Sequence, residues 1–316
     1  TSEEGRELIA QASAAAGERS GVQIVTMQDA MVNFVEEQST KRKFISYGFS
    51  RLDGRLYSDY GDFVVLAGRP SAGKTAMALQ MAVHMGRHDK VGFYSLETSP
   101  AKLTNRIIAN RAIVDFGRIN RREMTQEEWE RVVRLKGEIM ESDVELIPAS
   151  GWSVQDILST ALQRRHKIIF IDYLQQLTGR GKDRFEQVTR ISLDLHAMAQ
   201  THGILVVALS QLNRASTARP DAAPTLTDLR ESGQIEQDAD AVLALYINEE
   251  ENAPPNERCL QVLKNKEGRL GKVRLDFDGN LQQFAEYMDG QREVIQQTAR
   301  MEKKHEAKKS NPKAAV

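Results

Sequence analysis

Residues 68–75 read GRPSAGKT, two glycines five positions apart followed by a lysine and a threonine. This is the spacing G-x-x-x-x-G-K-[ST]. Glycines at 68 and 73 let the backbone curl until its N–H groups point inward, at the oxygens of a phosphate chain. A helix beginning near Lys74 adds the positive end of its dipole. Lys74 is a point charge for the β- and γ-phosphates, and Thr75 offers its hydroxyl to Mg²⁺. The chemistry is binding of a nucleoside triphosphate through Gly68, Ser71, Ala72, Gly73, Lys74 and Thr75.

Three further residues extend this from binding to hydrolysis. Asp172 closes the apolar run IIFID. A carboxylate at a strand's C-terminal end stands where open α/β sheets hold ligands, and it completes the Mg²⁺ shell with Thr75. Glu97 closes VGFYSLE and is the expected general base for water. Gln211 closes VVALSQ on the same sheet edge, where a neutral amide senses the γ-phosphate and passes on its loss.

These positions require a scaffold. Apolar runs at 63–67, 91–97, 144–149, 167–173, 203–210 and 241–247 alternate with helical patterns at 74–86, 100–113, 125–142, 153–166 and 184–202. Such alternation predicts an α/β fold with a mostly parallel sheet flanked by helices. After residue 258 the pattern changes to RCLQVLKNKEG, GKVRLDFDG and LQQFAEY, read as antiparallel strands turning at Gly268 and Gly279. Ahead of the sheet, Thr26 and Asp29 form a capping box, followed by Met27, Ala30, Met31, Phe34 and Val35 on one helical face. The expected organisation is a linker or remnant at 1–22, a linker helix within 23–40, the α/β domain at 41–288 and a polar, Lys-rich, disordered tail at 289–316. The chain opens on Thr1 instead of Met, as a fragment or a processed chain would.

Composition narrows the classes. The 316 residues carry 43 Lys and Arg against 44 Asp and Glu, a net charge of −1. No global basic field favours nucleic acid or membrane, so a polyanion site must be local or arise by assembly of copies. A single cysteine, Cys259, excludes an intramolecular disulfide and fits a reducing cytosol. No signal peptide and no membrane-spanning run is present, so the expected location is cytoplasmic. One stretch fits none of this: TLTDLRESGQIEQDAD at 225–240, dense in charge between two apolar runs.

Together these segments resemble DnaB-type replicative DNA helicases. GRPSAGKT, SLE at 95–97, IDYLQQL at 171–177, ALSQLNR at 208–214 and DLRESGQIEQDAD at 228–240 occur in that family's order and separations, over roughly residues 25–287. The last segment separates the family from other RecA-like ATPases. The resemblance implies a RecA-like P-loop core, a homo-hexameric ring around single-stranded DNA, and ATP with Mg²⁺ between adjacent subunits. It implies that Arg230, Glu231 and Gly233 line the channel and hold the DNA backbone, with the following acids fixing the segment. It implies that the helix within 26–38 docks on an adjacent subunit, and that primase and a helicase loader are further partners.

The chain departs from the family in one reactive place. A Lys-x-Arg pair is expected on a late strand as a finger toward the neighbour's ATP. Here Lys264 holds the first place and Lys266 stands where Arg is expected, with Arg269 nearby. An ammonium lacks the planar bidentate fork of a guanidinium. The resemblance does not extend to the helical domain through which such helicases meet primase. A RecA-type recombinase and a RecA-like regulatory ATPase without unwinding activity share the P-loop and the glutamine, and stand as alternatives.

Overall fold

Strands of this chain are apolar on both sides, and the structure shows why. The computed structural model describes residues 25–38, 42–212, 223–229, 233–250, 253–288 and 290–291. The chain divides into two compact units, residues 1–43 and 44–316.

In the first unit, α1 (Met27–Gln38) begins at the expected cap: Asp29 N donates to Thr26 Oγ1 at 3.2 Å, and Thr26 Oγ1 donates to Asp29 Oδ2 at 2.6 Å. Met27, Met31, Phe34 and Val35 are exposed.

In the second unit, nine strands among the described residues form one sheet. They are β1 (Phe63–Gly68), β2 (Val91–Ser95), β3 (Val144–Pro148), β4 (Ile168–Asp172), β5 (Leu205–Gln211), β6 (Ala241–Ile247), β7 (Glu257–Asn265), β8 (Gly271–Asp278) and β9 (Gln283–Glu286). Their order is β3-β2-β4-β5-β1-β6-β7-β8-β9. The first six pair in parallel, and β7 to β9 add antiparallel strands to the β6 edge. Alternate residues serve opposite faces. Val64, Leu66, Ile168, Phe170, Leu205 and Val207 pack under α3 (Lys74–Met85) and α4 (Pro100–Ala112). Phe63, Val65, Ile169, Ile171, Val206 and Ala208 pack against α7 (Val154–Arg164) and α8 (Arg184–His202). Two fully covered faces explain the unbroken apolar runs. The expected strands and long helices all form, including the antiparallel set. Among the described residues no helix is long and apolar enough to cross a membrane.

The differences lie in short elements. α2 (Ser50–Asp53), α5 (Phe116–Arg121) and a 3₁₀ turn at Leu174–Gln176 carry too few residues to show periodicity. α6 (Gln126–Glu141) starts at a capping box, with Thr125 Oγ1 accepting from Glu128 N at 3.2 Å and Thr125 N donating to Glu128 Oε2 at 2.8 Å. The charged 225–240 stretch holds a 3₁₀ turn at Leu226–Asp228 and α9 (Gly233–Asp238). Two buried anchors set this: Thr225 N donates to Asp228 Oδ2 at 2.8 Å, and Ile235 is buried in the core.

Candidate active site

β1, β2, β4 and β5 run parallel, so their C-terminal ends meet on one edge, with Ser95 level with Asp172 and Gly68 level with Gln211. There a cleft of about 530 Å³ opens, lined by Ser71, Gly73, Lys74, Thr75, Glu97, Asp172 and Gln211. The structure therefore gathers the hydrolysis residues expected from sequence around one space.

The P-loop glycines are required by geometry. Gly73 has φ +99°, and a Cβ there would stand 2.8 Å from Phe284 Cζ. At Gly68 a Cβ would meet the Leu245 carbonyl oxygen at 2.7 Å. Only glycine allows the turn and the approach. Lys74 Nζ donates to the carbonyls of Gly68 (2.7 Å) and Arg69 (3.0 Å), which fix it inside the loop's curve and leave one of its three N–H groups for a phosphate oxygen. Burial lowers its pKa to about 8, opposed by the negative charge of Asp172.

Thr75 Oγ1 donates to Asp172 Oδ2 at 2.8 Å. Burial is the main influence raising the Asp172 carboxyl pKa, with Glu97 adding to it, while Thr75, Lys74 and Arg106 oppose. A hydroxyl beside a carboxylate is a hard-oxygen pair that suits Mg²⁺, which takes few protein ligands and completes its shell with water and phosphate. Glu97 lies two residues beyond the end of β2, exposed on the cleft wall. The apolar pattern runs the strand on through residue 97. Leu96 N donates to Asp172 O at 2.9 Å as the last rung of the β2–β4 pairing, and Thr98 N then donates to Ser95 Oγ at 3.1 Å, which closes a turn that carries Glu97. Gln211 is the exposed last residue of β5, and its N–H donates to Gln175 Oε1 at 3.3 Å.

Sequence reasoning missed Arg106. It projects from α4 into the cleft, donates to Gln282 Oε1, and lies 5.0 Å from the centre of the Phe116 ring. Its Nε is buried without a partner among the described residues. Burial lowers its pKa, and the charge of Asp172 opposes. A partly desolvated guanidinium beside the phosphate loop is equipped to meet developing negative charge. Nothing in TNRIIAN marks it, because only the packing of α4 on α3 aims it.

The finger candidates lie elsewhere. β7 runs antiparallel to β6, with Ala241 opposite Asn265, and Ala241 also pairs with Val64 at the start of β1. Lys264 and Lys266 are therefore at the opposite end of the strands from Gly68, at least about 13 Å away at 3.3 Å per residue. They do not reach their own P-loop. Lys264 Nζ donates to the carbonyls of Glu236 (2.5 Å) and Gln237 (2.9 Å), and Lys266 Nζ pairs with Asp240 Oδ1 at 2.6 Å. Arg269 is exposed in the same turn, its N–H donating to Arg55 O at 3.0 Å.

Of the proposed DNA contacts, Arg230 and Glu231 lie outside the described residues. Gly233 opens α9, exposed, with no described atom within 4 Å of a Cβ built there. The following acids do fix the segment. Asp238 accepts from Ser192 Oγ and Gln234 Nε2, both at 2.7 Å, and Asp240 Oδ2 accepts from Phe63 N at 2.7 Å.

Comparison with known proteins gives the same frame. The model of the family described as DnaB-like helicase C terminal domain matches residues 45–286. The chain is 34% identical over 260 residues to a probable plasmid replicative DNA helicase of Chlamydia trachomatis, covering 80% of this chain and 57% of that protein. It is 32% identical over 279 residues to the replicative DNA helicase DnaB of Rickettsia typhi, covering 76% and 56%. The chain thus spans about half the length of the curated relatives it matches. Among solved structures, an isolated ATPase domain superposes with a TM-score of 0.78 at 34% identity, covering 84% of this chain and all of that one. A DnaB-like replicative helicase, described with its interactions with primase, gives 0.79 at 33%, covering 89% and 71%. The chain belongs to the DnaB-like helicase C-terminal domain family.

Proposed function

We propose that this chain is the motor of a replicative DNA helicase. It hydrolyses ATP at the interfaces of a homo-hexameric ring, moves along single-stranded DNA and separates the duplex. The observation that carries this is one cleft holding Lys74, Thr75, Glu97, Arg106, Asp172 and Gln211. Lys74 and the backbone of the P-loop hold the β- and γ-phosphates. Thr75 and Asp172 would hold Mg²⁺, which neutralises phosphate charge when bound. Glu97 takes the proton of the attacking water, Arg106 meets charge on the transferred phosphoryl, and Gln211 reads its presence. Lys264 and Lys266, directed away from their own cleft, serve the nucleotide of a neighbouring copy.

Two further observations support a ring. α1 presents Met27, Met31, Phe34 and Val35 to solvent. The second unit carries an apolar groove of about 260 Å³ between α4, α6 and β3, lined by Ile107, Val132, Ile139, Met140 and Leu146, with Lys136 beside it. An acidic helix carrying Asp29 and Glu36 from another copy suits that groove in both polarity and charge. Primase and a helicase loader are the further partners this reading implies. A regulatory ATPase without unwinding is the second reading, favoured by Lys266 in place of arginine.

The channel contact is tested with Arg230→Ala. Losing one charge-assisted phosphate bond costs ~1.5–3 kcal/mol, about tenfold or more in oligonucleotide affinity. Basal ATP turnover should persist while stimulation by single-stranded DNA disappears. Stimulation equal to the wild type would remove residues 230–233 from the DNA site.

A further inference from the structure

Arg106 stands between two spaces. It lines the nucleotide cleft, and it also lines a cavity of about 140 Å³ bordered by His84 on α3 and by Asn110 and Arg111 on α4. A guanidinium with room on either side is not aimed by packing alone. Arg106 Cζ lies over the Phe116 ring, 5.0 Å from its centre, a contact that does not fix the direction of its N–H groups. Gln282 supplies that direction, because Arg106 Nη1 donates to Gln282 Oε1. The amide is itself oriented: Gln282 Nε2 donates to Gly279 O at 2.6 Å, which leaves the oxygen for Arg106. Gln282 is only 9% exposed, in the turn between β8 and β9. Both helices hold that turn. Asn110 Nδ2 on α4 donates to Gln282 O at 3.0 Å, and Gln80 on α3 exchanges hydrogen bonds with Phe284 N (2.9 Å) and O (2.8 Å).

Two features set this contact apart. The acceptor is neutral, whereas nearby Arg111 and Arg118 are held by the carboxylates of Glu138 and Glu128. An amide directs Arg106 without cancelling its charge, and a guanidinium has five donors, so most of them stay available to a phosphate. The backbone of Gln282 is also left-handed, with φ +53°, a conformation that favours glycine. A long side chain kept at such a backbone, beside the cleft, points to a task for that side chain. We propose that Gln282 is a positioning residue for hydrolysis. It holds the Arg106 guanidinium toward the cleft, with its charge intact, where the transferred phosphoryl develops negative charge. The inference rests on the reading above, in which Arg106 meets that charge.

The test is Gln282→Gly in the full chain. Glycine suits the left-handed backbone, and the bond from Asn110 goes to a backbone carbonyl and is kept. Gly279 is exposed, so water replaces the lost donor at its carbonyl. The melting temperature should therefore be no lower than that of the wild type. kcat for ATP should fall about tenfold, the scale of one charge-assisted hydrogen bond, with KM within about twofold. Affinity for ADP with Mg²⁺ and aluminium fluoride, a mimic of the transferred phosphoryl, should fall by the same factor, and affinity for ADP alone should not change. In an Arg106→Ala background, Gln282→Gly should lower kcat no further. Should the glycine variant fail to fold, Gln282→Asn answers the same question: asparagine tolerates the left-handed backbone, and its shorter side chain does not span from Gly279 O to Arg106. Equal losses of affinity for ADP and for the fluoride complex, or a further fall of kcat in the Arg106→Ala background, overturn the positioning role. Wild-type kcat in Gln282→Gly beside a low kcat in Arg106→Ala also overturns it and leaves Arg106 in the cleft. Wild-type kcat in Arg106→Ala removes the reading of Arg106 and the inference with it.

Discussion

Replacing Lys74 with alanine lowers ATP turnover by about two to three orders of magnitude, the effect of removing a donor aimed at developing charge, ~2.7–4 kcal/mol. Lys74 is half-buried in the P-loop and held there by two carbonyls, a placement that alanine cannot reproduce. The fold should survive. Burial pushes the Lys74 pKa down to about 8, which means that its charged form is disfavoured by the folded surroundings. Alanine relieves that cost, and water in the cleft can satisfy the Gly68 and Arg69 carbonyls. Phosphate release measures the first effect and a thermal melt the second. The lysine also sets a pH dependence. The free site loses its ammonium as pH rises through about 8, whereas phosphate binding requires it. Affinity for a non-hydrolysable ATP analogue, measured without Mg²⁺, should therefore be flat below about pH 8 and fall above it in the wild type. In Lys74→Ala it should be weak and flat throughout. Turnover above a tenth of wild type would refute the assignment.

Glu97→Gln should lower turnover by about 10²–10⁴-fold, the range for loss of a positioned general base, and leave nucleotide affinity within about threefold. Glutamine keeps the shape of glutamate and cannot accept the proton of the attacking water. Glu97 stands across the cleft from the P-loop and takes no part in the Lys74 or Thr75 contacts. Its charge raises the Asp172 pKa, so neutralising it eases ionisation of Asp172 and should not weaken binding in the presence of Mg²⁺. Single-turnover hydrolysis beside an equilibrium titration separates the two effects. Near-normal hydrolysis in Glu97→Gln would pass the role of base to another group on the cleft.

The parallel core was legible because IIFID, FVVLAG and LVVALSQ are buried on both faces and so carry unbroken apolar runs. A parallel strand ends at the ligand edge, so its last polar residue announces itself. That is why Asp172 and Gln211 could be read directly. Glu97 was legible as a residue but not as a position, because the chain leaves β2 in a turn closed by Thr98 N on Ser95 Oγ, which the apolar pattern does not mark. Arg106 was illegible: it sits inside a helix among apolar neighbours, and only tertiary packing brings it to the cleft. Gln282, which receives it, depends on a left-handed turn at φ +53°. α9 was hidden by its six residues and its charge. The internal partners of Lys264 and Lys266 were hidden because they belong to segments 26 to 28 residues away.

If this cleft drives a DNA motor, the most direct measurement of it is ATP-dependent unwinding of a forked DNA duplex, with Lys74→Ala as the control. The expected result is strand separation by the wild type alone, dependent on ATP and Mg²⁺. ATP hydrolysis by the wild type with the fork left closed would contradict the motor reading and favour an ATPase that does not unwind.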